Sequence, residues 1–253
     1  MDPQRALPPE AQDADPRRAL PPATLQGGGV DPRRVFVLEQ TAIGVPPLVP
    51  EVRLHLATQV TPLWEATEAQ LDRAGVPPPY WAFAWAGGQA LARYVLDHPE
   101  TVAGRRVLDL ASGSGLVAIA AALAGAAEVT AADIDPFAGA AIALNAALNK
   151  VTLEVVIDDL TDPDAPAAGA WDVLLAGDIC YERGMATRLV AWLRGHAARG
   201  AAVLLGDPGR AYCPIDEVDQ VASRVVATSL DLEGLEERDG RVLRLRGAAP
   251  AAR

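Results

Sequence analysis

A carboxylate and two glycines lie together near the middle of the chain, in an arrangement that could hold a small charged ligand. Asp109 lies in the apolar run 107–110, which predicts a buried parallel strand, and Gly113 and Gly115 follow it. An alanine-rich helical pattern then starts at Leu116. Glycines allow a sharp turn and the close approach of a ligand, and the helix N-terminus offers N–H groups without intrahelical partners.

A second carboxylate ends the next predicted strand, 128–133. Asp133 follows Gly113 by twenty residues. An acid at that spacing can accept hydrogen bonds from both ribose hydroxyls of a nucleoside. The pattern therefore indicates a cofactor that contains a nucleoside, without saying which one.

Two cofactor classes share this geometry. Gly113, Gly115 and Ala118 match the dinucleotide pattern G-x-G-x-x-G/A, but the carboxylate of Asp109 would repel a pyrophosphate at the helix N-terminus. The same carboxylate would attract the ammonium and sulfonium groups of S-adenosylmethionine. We therefore favour S-adenosylmethionine over a dinucleotide such as NAD. A turn without any ligand would leave Asp109 and Asp133 without a role.

The sequence around this unit alternates strand and helix patterns. Strands are predicted at 153–157, 171–178 and 201–205, and helices at 136–149 and 184–198. Such alternation predicts an α/β fold with a doubly wound, mostly parallel seven-stranded sheet.

The C-terminal part is predicted to close the sheet with an antiparallel hairpin. We expect a helix at 214–224 and strands at 225–230 and 241–246, joined by a polar stretch that contains Asp239-Gly240, a dipeptide typical of hairpin turns. This arrangement leaves the carboxyl ends of the parallel strands free to bind a ligand.

The N-terminal part divides into a tail and a cap. Residues 1–33 hold too few bulky apolar side chains to fold, so we predict a flexible tail. Residues 34–253 are predicted to form one domain, of which 34–104 is an N-terminal helical cap. Within the cap, the patterns predict a short strand at 35–38 and helices at 51–58, 62–74 and 89–98.

Four aromatic residues lie within six positions, just before the glycine unit: Tyr80, Trp81, Phe83 and Trp85. We expect most of them to pack in the core. Aromatic faces also attract a sulfonium or an ammonium by cation–π interaction, and in this fold class the segment would cover the cofactor. Trp85 could also help to exclude water.

The composition limits the partners of the chain. With 33 acidic against 22 basic residues, the net charge is −11, which disfavours nucleic acid and suits a basic acceptor such as a lysine side chain, or simply solubility. Cys180, Cys213 and three histidines form no metal or disulfide pattern, so we expect no metal site. Without a run of about 18 apolar residues or a signal-peptide pattern, we expect a cytoplasmic protein with no membrane association.

The strand ends supply the residues that could do chemistry. The candidates there are Asp109, Gly113, Asp133, Asp159, Asp178 and Asp207. Asp159 could accept a hydrogen bond from an adenine amino group. Asp178 could attract an incoming ammonium, and Tyr181 could orient its nitrogen. With S-adenosylmethionine as cofactor, the reaction to consider is methyl transfer to an amine. It needs a neutral amine about 3 Å from the methyl carbon, but a lysine with a pKa near 10.4 is mostly protonated at neutral pH, so the site must favour the neutral form.

The glycine unit resembles the first motif of class I, seven-strand S-adenosylmethionine-dependent methyltransferases. That motif is D/E-x-G-x-G-x-G, and this chain has Asp109-Leu-Ala-Ser-Gly-Ser-Gly115. Ala111 replaces the first glycine, a mild departure, since alanine tolerates most loop conformations although it adopts a positive φ only at a cost. The resemblance implies a Rossmann-like methyltransferase fold with S-adenosyl-L-methionine as cofactor.

The wider pattern is similar to bacterial electron-transfer-flavoprotein β-subunit lysine methyltransferases. The matching segments are 47–51 (PLVPE), 62–65 (PLWE), 80–89 (YWAFAWAGGQ), 133–136 (DIDP), 177–182 (GDICYE) and 206–210 (GDPGR). The pattern D-x-x-Y at the fourth strand is typical of a group of protein lysine methyltransferases. The aromatic segment and Gly-Asp-x-Cys-Tyr are more specific than the first motif.

This resemblance implies a protein-lysine N-methyltransferase whose substrate is the electron transfer flavoprotein β subunit, and we expect a monomer. Asp178 and Tyr181 would be catalytic. The implied cofactor-binding residues are Trp85, Gly88, Asp109, Ala111, Gly113, Gly115, Asp133, Ile134, Asp159, Leu160 and Asp178. Similar proteins have also been labelled nicotinamide N-methyltransferase-like, so a small amine is an alternative acceptor. A non-enzymatic S-adenosylmethionine-binding regulatory module is a second alternative.

Overall fold

In the computed structural model, the described residues are 31–58, 61, 63, 78–162 and 170–247. Their strands are β1 Ala42–Gly44, β2 Leu54–Leu56, β3 Arg106–Leu110, β4 Glu128–Asp133, β5 Glu154–Ile157, β6 Val173–Gly177, β7 Ala202–Asp207, β8 Val218–Ala227 and β9 Glu237–Leu245. Their α-helices are α1 Pro32–Gln40, α2 Ala86–Asp97, α3 Leu116–Leu123, α4 Pro136–Asn149, α5 Arg183–Ala198 and α6 Leu230–Glu233. No helix among these residues combines the length and apolarity that crossing a bilayer requires.

Seven of the strands form one sheet, in the order β5-β4-β3-β6-β7-β9-β8. The strands from β5 to β7 in that order run parallel, whereas β9 and β8 close the sheet in antiparallel pairing. This topology confirms the predicted doubly wound sheet with its C-terminal hairpin. The strand order reverses between the neighbours β3 and β6, and ligands of such sheets bind at this point, outside the carboxyl ends of the strands.

Two apolar layers hold the sheet, one on each face, because successive side chains of a strand point to opposite faces. In β6, Leu174 packs in the layer to which α5 contributes Leu193. Leu175 packs in the other layer, to which α2 and α3 contribute Leu91 and Ile119. All five side chains are fully buried. Because burying one such side chain contributes about 1.5–3 kcal/mol, these layers fix the sheet that carries the strand-end residues.

The described part of the N-terminal segment contains the short strands β1 and β2 beside the helices α1 and α2. Its first element, α1, begins at Pro32, and the Asp31 side chain accepts the Arg33 N–H as its cap (3.0 Å). The strand predicted at 35–38 is therefore wrong, and the helix starts inside the segment predicted as a tail. Helical geometry buries Phe36 against α4, which an exposed short strand would not do.

The segment 51–58, predicted as a helix, contains β2, which pairs antiparallel with β1. The reason is its contact with α4, where the Asn145 side chain accepts the His55 N–H (2.8 Å) and the Asn149 side chain accepts the Arg53 N–H (2.9 Å). These bonds from α4 satisfy backbone N–H groups of the extended segment. Residues 1–30 of the predicted tail, and nearly all of the predicted helix 62–74, lie outside the described residues.

Two C-terminal predictions are also wrong, the helix at 214–224 and the turn at Asp239-Gly240. The strand β8 already begins at Val218, and Asp239 and Gly240 lie inside β9, paired with β8. Gly240 serves a close approach between sheet and helix, because a Cβ there would lie 2.7 Å from the Cβ of Ala90 in α2. The dipeptide thus reflects packing of α2 on the sheet and not a hairpin turn.

Candidate active site

A cavity of about 520 Å³ opens at the carboxyl ends of β3, β4, β5 and β6. Its volume lies in the range of small-molecule sites, about 300–1,000 Å³. It is lined by all the predicted site residues except Gly115 and Asp207: Trp85, Gly88, Asp109, Ala111, Gly113, Asp133, Ile134, Asp159, Leu160, Asp178 and Tyr181. The fold therefore brings them together, and their individual contacts with a cofactor stay predictions.

Asp109 anchors the glycine turn to the helix that follows it. Its Oδ2 accepts the Ser112 hydroxyl (2.5 Å) and the Ala118 N–H in the first turn of α3 (3.0 Å). Burial raises the pKa of Asp109 to about 7, although these two hydrogen bonds oppose the rise. The carboxyl is therefore poised between its two protonation states at neutral pH, and a nearby cation would favour the ionised one.

The residue that replaces the first glycine of the motif is strained. Ala111 follows β3 with a φ of +55°, in the left-handed region that L-residues enter at about 1–2 kcal/mol. Gly113, in the same turn, has a φ of +54°, which a glycine adopts freely. The turn thus requires left-handed backbone at both positions, and the chain supplies glycine at only one of them.

Ala111→Gly should therefore raise the free energy of unfolding by about 0.5–1 kcal/mol. This is the strain energy that glycine relieves minus the cost of its greater conformational freedom in the unfolded chain. Denaturant unfolding of the ligand-free protein measures this change. Gly113→Ala is the matched control, because a Cβ there meets nothing nearer than the Trp81 Cα at 3.8 Å and should destabilise through φ alone. An Ala111→Gly variant less stable than the parent would refute the assignment of strain.

Asp133, at the end of β4, holds the other side of the same turn. Its Oδ2 accepts the Gly113 N–H (2.8 Å) and its Oδ1 accepts the Asp135 N–H (3.0 Å). Each carboxylate oxygen has two lone pairs, so both can still accept a ribose hydroxyl. Asp135 in turn caps α4 through the Phe137 N–H (2.8 Å). Burial raises the pKa of both carboxyls, that of Asp135 to about 6.

The end of the cavity at β5 is bordered by Asp158, Asp159 and Leu160. Asp159 Oδ1 accepts the N–H (3.0 Å) and the hydroxyl (2.6 Å) of Thr161, and its Oδ2 pairs with Arg188 of α5. Burial alone would raise the pKa of Asp159, but Thr161 and Arg188 outweigh it and lower the pKa. This carboxylate is therefore ionised and held in place. Arg188 also lines the cavity, and no sequence spacing had linked it to β5.

Asp178 joins the end of β6 to the N-terminus of α2. The Gly88 N–H donates to its Oδ2 (2.6 Å) and the Gly87 N–H to its Oδ1 (3.2 Å). The helix comes this close because Gly87 and Gly88 have no side chains, since a Cβ on Gly87 would lie 2.4 Å from the carbonyl oxygen of Gly206 in β7. Asp178 itself has a φ of +55°, and such strained residues cluster at functional sites.

Two charged residues that the sequence did not single out lie beside Asp178. Arg210 Nη2 is 3.8 Å from Asp178 Oδ1 and 3.1 Å from Glu233 Oε2. Glu233 is buried and also accepts the Ala86 N–H (3.3 Å). Burial raises the pKa of Asp178 to about 7, while the Gly88 N–H and Arg210 oppose the rise. Arg210 belonged to a matching segment, but nothing in the sequence connected it with Glu233.

An aromatic wall, formed by Tyr80, Phe83, Trp85 and Tyr181, lines the cavity beside Asp178. The Tyr80 ring centroid lies 6.0 Å from that of Trp85 and 5.4 Å from that of Tyr181, and Phe83 lies 5.7 Å from Trp85. Tyr80 is 43% and Tyr181 42% exposed. Burial raises the pKa of Tyr181 to about 12, so its phenol is protonated at neutral pH. The wall is therefore neutral and reachable from solvent, as binding of an ammonium by cation–π interaction requires.

Two predicted residues lie outside the cavity. Gly115 provides the left-handed cap of α3, with a φ of +82°, and its Cα faces Ile142 of α4. Asp207, at the end of β7, accepts the N–H groups of Gly209 and Arg210 beside a second, smaller cavity. Asp207 was expected here because it ends a parallel strand, but its carboxylate turns into the loop that follows β7.

The residues that line the cavity fit S-adenosylmethionine better than a dinucleotide. Asp109, Asp133 and Asp178 all border the cavity, and burial raises the pKa of each of them. A cationic ligand stabilises the ionised form of such carboxyls, whereas a pyrophosphate would destabilise it further. The ammonium and sulfonium of S-adenosylmethionine supply that positive charge.

Comparison with known proteins identifies the family. The chain is 43% identical over 180 residues to the electron transfer flavoprotein beta subunit lysine methyltransferase of Xenopus laevis, covering 70% of this chain and 71% of that protein. It is 37% identical over 221 residues to the protein of the same name from Homo sapiens, covering 85% of this chain and 81% of that protein. The chain belongs to this family of lysine methyltransferases.

Other comparisons agree with a class I methyltransferase. The family profile described as ribosomal protein L11 methyltransferase (PrmA) matches residues 89–180. The crystal structure of SMU.776 in complex with SAH has a TM-score of 0.50 at 11% identity, covering 87% of this chain and 58% of that chain, a likeness that concerns the fold alone. The chain is thus a class I S-adenosylmethionine-dependent methyltransferase, as its first motif predicted.

The raised pKa values of Asp109, about 7, and of Asp133 should make cofactor binding by this methyltransferase depend on pH. A cationic ligand favours the ionised carboxyls, so binding should release protons and the affinity should rise from about pH 6 to about pH 8. Calorimetry in two buffers of different ionisation enthalpy measures the protons released.

The stability of the ligand-free protein should change in the opposite direction. A carboxyl whose folded pKa lies above its ordinary value of 3.8 stabilises the fold at low pH, and this contribution is lost as the pH rises through about 7. Asp109→Asn should reduce both effects, because the amide does not titrate. An affinity that falls over the same pH range would show that these carboxyls do not meet a cationic ligand.

Proposed function

We propose that the chain transfers a methyl group from S-adenosylmethionine to a lysine ε-amine of a protein, and that this protein is the electron transfer flavoprotein β subunit. The names of its relatives support this acceptor. The observation that carries the proposal is that Asp178 and Tyr181, a carboxyl and a neutral phenol of the aromatic wall, both line the cofactor cavity. The net charge of −11 also suits a basic acceptor.

In this proposal, the strand ends hold the methyl donor. Asp133 accepts the ribose hydroxyls, Asp159 and Leu160 contact the adenine, and Asp109 with Gly113 faces the cationic amino-acid part. The donor supplies a methyl group that its sulfonium activates. Its remaining contacts come from Trp85, Gly88, Ala111 and Ile134. The contribution of all these residues is positional, because holding the reacting groups in line removes much of the entropic barrier.

The acceptor lysine is guided and dehydrated at the edge of the cavity. Asp178 attracts the ammonium, and the phenol oxygen of Tyr181 orients the nitrogen. In water the lysine has a pKa near 10.4, and burial of its amine in the cavity lowers this pKa, so that the ammonium releases its proton to solvent before transfer. Arg210, 3.8 Å from Asp178, favours ionisation of that carboxyl. Trp85 excludes water from the neutral amine.

We also propose that the enzyme acts as a cytoplasmic monomer without nucleic-acid or membrane partners. The net charge of −11 supports the absence of nucleic-acid and membrane partners, because phosphate-rich surfaces repel an acidic protein. Size-exclusion chromatography tests the monomer, and a dimer would refute it.

Labelled cofactor tests the acceptor without presupposing it. The enzyme and methyl-labelled S-adenosylmethionine are added to an extract of cells that lack the enzyme, and mass spectrometry identifies the labelled species. We expect label on a lysine of the electron transfer flavoprotein β subunit. If the label appears only on ribosomal protein L11, or only on a small amine such as nicotinamide, the proposed acceptor is wrong and the labelled species is the acceptor. Tight cofactor binding without any transfer would indicate a non-enzymatic binding module.

A further inference from the structure

The fold brings together three potential metal ligands outside the cofactor cavity. The Sγ atoms of Cys180 and Cys213 and a carboxylate oxygen of Asp207 lie within 4.8 Å of one another, and both cysteines are free thiols. Cys180 follows β6, and Asp207 and Cys213 lie at and beyond the end of β7. The spacing of the cysteines predicted no metal site. Their proximity arises from the pairing of β6 with β7, which the spacing does not encode.

Asp207 contributes a buried carboxylate to this cluster. Its Oδ1 accepts the N–H groups of Gly209 and Arg210, each at 2.7 Å. Its Oδ2 is buried and accepts no backbone N–H among the residues that the structure describes, and the Cys180 thiol lies beside the carboxyl. The whole residue is only 1% exposed. The carboxylate therefore faces the two thiols as a third potential ligand of one cation.

A second cavity, of about 220 Å³, borders two of these ligands. It is lined by Asp207 and Cys213 and also by Arg210 and Arg241. The cavity offers an ion a route from solvent and room for a water molecule as an additional ligand. Two thiolates and a carboxylate around a divalent ion leave an excess negative charge, which the two arginines would offset.

We propose that Cys180, Cys213 and Asp207 bind one zinc ion, with a water molecule from the second cavity as the fourth ligand. Sulfur and carboxylate oxygen are common zinc ligands, at about 2.0–2.3 Å from the metal in tetrahedral geometry. Such ligands lie about 3.3–3.8 Å apart, so the three side chains need only a small contraction. Each thiol releases its proton to solvent as its bond to zinc forms, and no electron is transferred.

The ion would connect two loops that carry residues of the cofactor cavity. Cys180 directly precedes Tyr181, and Cys213 lies in the loop that contains Arg210. Joining these loops would fix Tyr181 and Arg210 relative to Asp178. The zinc site goes beyond the proposed methyl transfer, and its test does not depend on the acceptor.

Cobalt and zinc test the site in the full chain under reducing conditions. Co²⁺ added to the metal-free protein should produce thiolate-to-cobalt charge-transfer absorption that saturates at one ion per chain, and Zn²⁺ should displace it. Cys213→Ser should lower the zinc affinity by more than about 100-fold, since losing a ligand costs more than losing an outer-shell partner. Zinc should also raise the Tm of the parent but not that of Cys213→Ser.

The matched control is His98→Gln, which removes an exposed potential ligand elsewhere and should leave the zinc affinity unchanged. If Cys213→Ser does not fold, thiol protection in the parent replaces it as the test. One equivalent of zinc should then protect both cysteines of the parent from a thiol reagent. The proposal is wrong if the parent binds no stoichiometric metal, or if Cys213→Ser binds zinc as tightly as the parent. A Cys180–Cys213 disulfide that forms despite saturating zinc would also refute it.

Discussion

Asp133→Ala is expected to weaken S-adenosylmethionine binding by at least about 100-fold. The variant lacks the carboxylate that accepts the ribose hydroxyls, and a hydrogen bond to a charged group contributes about 1.5–3 kcal/mol. Two such bonds correspond to about 3–6 kcal/mol, and each 1.4 kcal/mol is a tenfold change in affinity. Titration calorimetry of parent and variant measures the change.

Asp133 also accepts the Gly113 N–H, so the alanine variant could lose affinity through a disordered turn. Asp133→Asn is the matched control, because its side-chain oxygen can still accept one hydrogen bond while the charge is gone. We expect an intermediate affinity for this variant and a Tm between those of the parent and the alanine variant, because the amide can accept only one of the two backbone N–H groups. NAD should bind neither the parent nor the variants. Binding of NAD by the parent, or an Asp133→Ala variant with parental affinity, would refute the cofactor site.

The second large effect is expected at Asp178, where Asp178→Ala should lower kcat by at least about 100-fold. This is the loss typical of removing a positioned catalytic group. The same carboxylate accepts the N–H groups of Gly87 and Gly88, so alanine also frees the N-terminus of α2 and should lower the Tm. Steady-state kinetics with a saturating acceptor separate kcat from the KM for S-adenosylmethionine.

Asp178→Asn distinguishes the catalytic role from the structural one. The amide keeps an acceptor for the helix N-terminus but removes the charge that attracts the ammonium, so kcat should fall as in the alanine variant while cofactor affinity changes little. Glu182→Gln is a nearby control, because this exposed residue caps α5 and should leave kcat close to parental. Full activity of Asp178→Asn would show that the residue only anchors α2.

The elements nearest the cofactor could be predicted from the sequence because their signals are local. The apolar run that contains Asp109 predicts a strand, and the glycines that follow it predict a turn. The strand ending at Asp133 and the helix at 136–149 were predicted with the bounds that the structure shows. The carboxylates at the cavity follow from these elements, since parallel strands place their carboxyl ends at one edge of the sheet.

Other elements could not be predicted because distant contacts decide them. A short apolar run such as 35–38 suits a strand or a helix, and contact of Phe36 with Phe137 decides for the helix. The segment 51–58 is extended because Asn145 binds its backbone from α4.

In the site, three associations have no signal in the sequence. They are the pairing of Arg210 with Glu233, that of Arg188 with Asp159, and that of Cys180 with Cys213. Each joins residues from different loops or elements, which only the sheet order brings together. Spacing rules describe residues within one element and the loop that follows it, so they miss such pairs.

Transfer to a purified acceptor tests the proposed reaction most directly. The enzyme is mixed with methyl-labelled S-adenosylmethionine and the purified electron transfer flavoprotein β subunit, and peptide mass spectrometry maps the label. We predict label on a lysine ε-amine with the parent enzyme and at least about 100-fold slower labelling with Asp178→Asn. An unlabelled β subunit, in the presence of an enzyme that binds the cofactor and methylates another acceptor, would contradict the assignment.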